Sequence, residues 1–191
     1  RSSYGYAEDA ERKLKADPEA YYWVAETGWS QGLDRLEFQK LAEKSHAADP
    51  AFPYTDALTT IFMAYRGSSI NTQGGGGWLD KVMARPDGLG AEAYARSCVE
   101  IASHSSTATY FFRDISAEYA KVATGFGMMS KRFPNSQSNY SRWIYFLCAR
   151  KDWPAAQKYV QFMKGKCDRR FWRGEKRYLE IISQKEDLGG H

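Results

Sequence analysis

The stretch from Phe133 to Met163, FPNSQSNYSRWIYFLCARKDWPAAQKYVQFM, constrains the fold more than any other part of the chain. Pro134 and Asn135 break whatever precedes it, and Ser136 or Ser138 can accept a hydrogen bond from the first free N–H groups of a new helix. Tyr140, Trp143, Ile144, Leu147 and Cys148 then recur at i, i+3, i+4, i+7 and i+8, a continuous apolar stripe. Asp152 can cap a second helix, with Pro154 in its first turn, where a missing N–H does no harm. Ala156, Val160 and Met163 line its inner face, and the small Ala156 side chain lets the two backbones approach closely. The pattern predicts a helical hairpin.

The same grammar recurs along the chain. Ser2 or Ser3 can cap a short helix through Lys15, and Asp17-Pro18-Glu19 restarts the chain as a cap, a first-turn proline and an acid near the positive helix end. Tyr21, Tyr22, Val24 and Ala25 carry that helix to Gly28, and Gly32 sits in the turn that follows. Asp34 caps the next helix, whose Leu36, Phe38, Leu41 and Ala42 are expected to face inward as far as Asp49-Pro50. Further helices are expected from Thr55 to Arg66, Trp78 to Arg85, Gly90 to Ser103, about Asp114 to Phe133, and Arg173 to Leu188. In the long one, Gly125 and Gly127 are expected to weaken the helix locally. The run NTQGGGG has no side chains able to hold it, so residues 67–77 are expected to form a flexible loop. No β-alternation interrupts the series. The expected fold is all-α, about nine or ten helices in one domain over residues 1–191, ending in a basic helix over residues 169–188.

Helical hairpins repeating at about 34 residues, with alanine on the second helix, describe the tetratricopeptide repeat. The order of motifs is more specific than the repeat. DPEAYYWVAETGWSQGLDRLEFQKL, DPAFPYTDA, YRGS at Tyr65 to Ser68, GAEAYARSCVEIA, TGFGMMSKRFPNSQSNYSRWIYFLCARKDW and the pair Phe171-Trp172 follow one another along nearly the whole chain. In that order they resemble a bacterial family of undefined function, domain-of-unknown-function family number four thousand and thirty-four. Tyr65 stands where that family tends to carry Trp, no proline–basic pair precedes it, and the segment Asn71 to Gly77 looks like an insertion. The resemblance implies a tetratricopeptide-like α–α superhelix, and it brings no catalytic residues with it.

Composition narrows the function classes. Three cysteines, Cys98, Cys148 and Cys167, show no metal-binding spacing, and the odd count favours a reducing, cytoplasmic compartment. The sequence starts at Arg1 without an initiator Met, so a trimmed leader would make the chain periplasmic instead. No apolar run approaches the roughly 20 residues a membrane-spanning helix needs. His46, His104 and His191 are scattered, no GxSxG or HExxH occurs, and the GGGG run is followed by Trp78-Leu79-Asp80 in place of the Lys-Ser/Thr of a phosphate loop. No cofactor, metal or catalytic residue is expected.

Two surfaces remain as binding candidates. From Lys164 to Arg177 seven basic residues stand against Asp168 and Glu175, while the whole chain carries only +4. Arg169, Arg170, Arg173, Lys176 and Arg177, interleaved with Phe171, Trp172 and Tyr178, form a patch that is a solvated end helix, a site for an acidic protein, or a nucleic-acid contact. In a tetratricopeptide array the first helix of each hairpin lines the concave groove, where peptides lie. By that geometry Trp23 and Tyr145 face the groove, with Thr27 and Ser141 as polar neighbours. Trp78 either packs into the array or is presented to a partner, and Tyr65 and Arg66 complete the candidate set. The expected function is a non-catalytic protein- or peptide-binding module, an adaptor or an inhibitor of the immunity type. Nucleic-acid binding through the basic segment is the alternative.

Overall fold

The computed structural model describes residues 17–65, 75–86, 88–104 and 118–164. These residues form eight α-helices and no strand: α1 Pro18–Ser30, α2 Arg35–Ala48, α3 Tyr54–Tyr65, α4 Gly75–Ala84, α5 Ala91–His104, α6 Tyr119–Arg132, α7 Gln137–Ala149 and α8 Trp153–Phe162. The helices expected over residues 2–15 and 173–188, and the basic residues Arg169, Arg170, Arg173, Lys176 and Arg177, lie outside the described residues. So does Arg66.

The helix starts are written in the caps. The Asp17 carboxylate accepts from the Glu19 N–H at 2.9 Å, and Asp34 accepts from the Glu37 N–H at 2.9 Å. Ser136 Oγ accepts from Asn139 and Asp152 from Ala155, each at 3.3 Å. Between α1 and α2, Gly32 takes φ +82°, the Leu33 N–H donates to the Gly28 carbonyl at 2.8 Å, and the Gly32 N–H to Trp29. This is a Schellman turn, which closes a helix with a left-handed residue. Between α7 and α8 the same turn is closed by Lys151 at φ 60°, with Asp152 N–H donating to Leu147 at 2.9 Å.

Each helix packs on the next in sequence, and α3 also reaches α1 and α5. The cores follow this order. Tyr21, Ala25, Leu33, Phe38, Leu41, Leu58 and Phe62 join α1 to α3, where Phe38 and Phe62 stack with ring centres 4.0 Å apart. Ala42, Met63, Trp78, Val82 and Ala93 join α2 to α5. A larger core runs from α3 to α8 and contains Tyr94, Cys98, Phe126, Ile144 and Phe146.

Four expectations change. The helix expected from about Asp114 begins at Tyr119, because Glu118 is extended (ψ 114°) and its N–H donates to the Tyr94 hydroxyl at 2.9 Å. Helix α4 takes in Gly75, Gly76 and Gly77, which the sequence reads as loop; Trp78 and Leu79, both buried, anchor that end. Leu36, expected to face inward, is exposed. Gly125, read as a weakness of α6, is a requirement of packing. A Cβ there would collide with the Ala91 carbonyl oxygen and lie 2.6 Å from the Ala95 Cβ. Around Gly127 there is open space.

The two glycines should therefore respond oppositely to the same change. Gly125→Ala is expected to cost about 2 kcal/mol or more through overpacking, whereas Gly127→Ala should stabilise by up to about 1 kcal/mol through helix propensity. Urea denaturation of both variants checks this; a stabilised Gly125→Ala would mean that α5 and α6 do not cross this closely.

Candidate functional site

The turn between α2 and α3 builds one wall of a cleft. Asp49 leaves α2 in extended conformation, and its carboxylate accepts from the Ala51 N–H at 2.8 Å. Phe52 N–H returns to the Asp49 carbonyl at 3.1 Å, and Pro53 precedes the first residue of α3. A turn flanked by Pro50 and Pro53 keeps Phe52 out of a helical core stripe, and Tyr54 sits at the first position of α3, before that helix's buried stripe begins. Their rings instead meet at 4.9 Å at the cleft mouth. The cleft has a volume of about 220 Å³, with Arg96, Val99 and Glu100 of α5, Phe126 and Met129 of α6, and Asn139 and Arg142 of α7 on its other sides.

Arg96 is held in place by Glu92, which accepts from its Nε at 3.0 Å and its Nη2 at 2.7 Å; Arg132 stands 3.6 Å from the second Glu92 oxygen. Glu92 is a buried carboxylate, so two guanidinium groups close by offset its desolvation.

From the cleft mouth a chain of aromatic rings leads onto α1. Tyr54 meets Tyr22 at 6.0 Å, and Tyr22 meets Trp23 at 5.2 Å, both edge to face. Trp23 is 54% exposed and Tyr54 40% exposed. The Trp23 Nε1–H donates to Glu19 at 3.1 Å. Burial, with the carboxylates of Glu26 and Glu100 nearby, holds the Tyr22 hydroxyl above its usual pKa. Thr27, one turn beyond Trp23, is exposed on the same side of α1.

The other candidates from the sequence lie elsewhere. Trp78 packs into the array: it is buried and donates its indole N–H to Asp56 at 3.1 Å. Ser141 is fully buried, its Oγ donating to Met163 Sδ at 3.8 Å, and Tyr145 is buried edge-on to Phe146 at 5.7 Å. Neither side chain is open to a groove. Helix α7 is buried almost all round, so its inward stripe is wider than the spacing of its first apolar residues suggested. Of Tyr65 only the backbone is described. The structure thus puts Trp23, with Thr27 one turn along α1, at the end of a row that runs through Tyr22, Tyr54 and Phe52 to a cleft lined by Arg96, Glu100 and Arg142. Sequence reasoning singled out none of the row beyond Trp23, and none of these cleft residues, as a site residue. The proline-flanked aromatic pair in DPAFPYTDA was the available signal.

Asp56 forms a second polar cluster, and this one is closed. Its carboxylate receives Arg85 Nη1 at 2.7 Å and Nη2 at 3.0 Å besides the Trp78 N–H, and the Arg85 guanidinium lies over the Trp78 ring at 5.5 Å. Burial pushes the Asp56 carboxyl up, against the pull of Arg85, Trp78 and His46 toward the ionised form. Among the described residues no three His, Cys, Asp or Glu side chains gather to hold a metal ion, and no helix is long and apolar enough to cross a membrane. Comparison with protein-family models, curated proteins and solved structures finds no match for this chain.

The Asp56 cluster bears on stability. Asp56→Ala leaves the partly buried Arg85 guanidinium without its counter-charge and the buried Trp78 N–H without its acceptor, and should cost about 3 kcal/mol or more. Thermal and urea unfolding measure it; a cost below about 1 kcal/mol, the level of an exposed pair, would show that the cluster is open to water.

Proposed function

We propose that this protein is a non-catalytic, tetratricopeptide-like interaction module of the family it resembles, an adaptor or inhibitor that captures a protein segment on the aromatic row and its adjoining cleft. The observation that carries the reading is the row itself: Phe52, Tyr54, Tyr22 and Trp23 touch in sequence, Trp23 and Tyr54 are left partly in water, and the row ends at a cleft holding both arginines and a glutamate. Burying an exposed large aromatic side chain on association supplies much of an interface's free energy, and arginine is the charged residue most enriched in such places. An extended chain laid along the row would cover the rings, while its end or a side chain enters the cleft. The cleft holds only a few side chains' volume, which suits a peptide better than a large folded surface.

The test is selection of peptides from a random displayed library on the purified full chain, followed by affinity measurement with variants. Tyr54→Ala and Arg142→Ala are each expected to weaken the selected peptides about tenfold, the loss of one interface hot spot. A library that yields no binder, or binders indifferent to both substitutions, overturns the reading.

A further inference from the structure

We infer that the α1 end of the row recognises a cation, the side-chain ammonium or guanidinium of a lysine or arginine in the captured segment, received among Tyr22, Trp23 and Tyr54 with Glu19, Glu26 and Glu100 around them. The inference rests on the peptide-binding reading above and names the chemistry of its partner.

Aromatic faces carry negative charge density, and rings set at steep angles to one another offer such faces from more than one direction. Tyr22 makes interplanar angles of 72° with Trp23 and 67° with Tyr54. Carboxylates supply the rest of the potential. Glu19 is fixed at the indole edge by the Trp23 N–H, Glu26 stands one turn along α1 from Tyr22, and Glu100 approaches Tyr22 from α5 across the cleft. Glu19, Trp23 and Thr27 form one i, i+4 line on α1, with Tyr22 and Glu26 beside it, so acids and rings share one face.

The helix contains no lysine or arginine. From Asp17 to Asp34 the chain carries four carboxylates, Asp17, Glu19, Glu26 and Asp34, and no basic residue, in a protein of net charge +4. A local reversal of sign beside exposed rings selects for positive charge and against negative. The two arginines lie beyond Tyr54 on the cleft side, and Arg96 is already bound by Glu92.

The probes are three blocked pentapeptides, Ac-Ala-Ala-Lys-Ala-Ala-NH2, its Nε-acetyl-lysine form and its glutamate counterpart, titrated into the ¹⁵N-labelled full chain at low salt. The lysine peptide is expected to shift the Trp23 indole N–H resonance, assigned by Trp23→Phe, while the acetylated peptide does not. Glu19→Gln and Glu26→Gln should each weaken it by roughly two- to fivefold, the scale of an exposed cation–aromatic or ion-pair contact. Equal shifts from the lysine and acetyl-lysine peptides would overturn the inference, since charge would then play no part. A glutamate peptide that binds in place of the lysine one, and loses binding in Arg142→Ala, overturns it while leaving the peptide-binding cleft standing. No shift from any of the three overturns it too, with the library selection still deciding the broader reading.

Discussion

The crossing of α5 and α6 sets the geometry on which the rest depends. At Gly125 the two helices meet backbone to side chain, nearer than a Cβ would allow, and Ala91 and Ala95 supply the small partners on α5. Close approach here fixes where the following residues go. Phe126, one position on, packs against Trp143 at 4.9 Å and Phe146 at 5.7 Å, and so ties α6 to α7. Phe126 and Met129 also form part of the cleft, as do Arg96, Val99 and Glu100, one to two turns along α5 from the contact. A wider crossing would displace the α5 and α6 residues that line the cleft relative to one another. Packed interiors transmit such displacements because they have little free volume to absorb them.

Asp56 secures the other end of the array by a different route. Thr55, on the neighbouring position, donates to Ser45 Oγ at 2.9 Å, and Ser45 donates to the Pro18 carbonyl at 3.2 Å. These bonds bind α3 to α2 and to the first turn of α1, while Asp56 binds it to Trp78 and Arg85 around α4. Polar side chains in helix interiors are costly unless satisfied, and fully satisfied ones permit few alternative packings. The first turn of α3 is thereby tied to α1 through Ser45 of α2 and directly to Trp78 and Arg85 around α4.

The starts of α1, α2, α7 and α8 were readable because capping is local chemistry. Asp17, Asp34, Ser136 and Asp152 act through N–H groups two or three residues away, and no tertiary contact can alter that spacing. What depended on neighbours was not readable. Glu118, the extended residue before α6, has its N–H taken by the hydroxyl of Tyr94 on another helix, 24 residues away. Tyr145 and Ser141 fall off the apolar stripe of α7 in projection, yet further packing covers that side as well. Trp23 was identifiable as exposed because it stands off the line of Tyr21 and Ala25. Its companions Phe52 and Tyr54 belong to a turn and to the first position of the helix after it, where periodicity says little about facing. A site made by a turn meeting a helix leaves only composition in the sequence, here two aromatics, one on either side of Pro53.

The arrangement of charge gives the row a direction. Carboxylates flank its α1 end, and Arg96 and Arg142 stand with Glu100 at its cleft end, so on the proposed reading a bound chain would be oriented by charge as well as by shape. A segment with a basic residue followed at a distance by an acidic one, or by a C-terminal carboxylate, meets complementary potential in one orientation and like charge in the other. Like-charge juxtaposition discriminates between partners more effectively than it strengthens any one of them. The rings between the two ends contribute area without preference of sequence, as aromatic surfaces do. Affinity would then reside mainly in Tyr22, Trp23 and Tyr54, and selectivity in Glu19, Glu26 and Arg142. On the proposed reading, that division would let an all-helical protein of ordinary composition choose its partner through a few surface carboxylates and arginines, without any change in the packing that supports them.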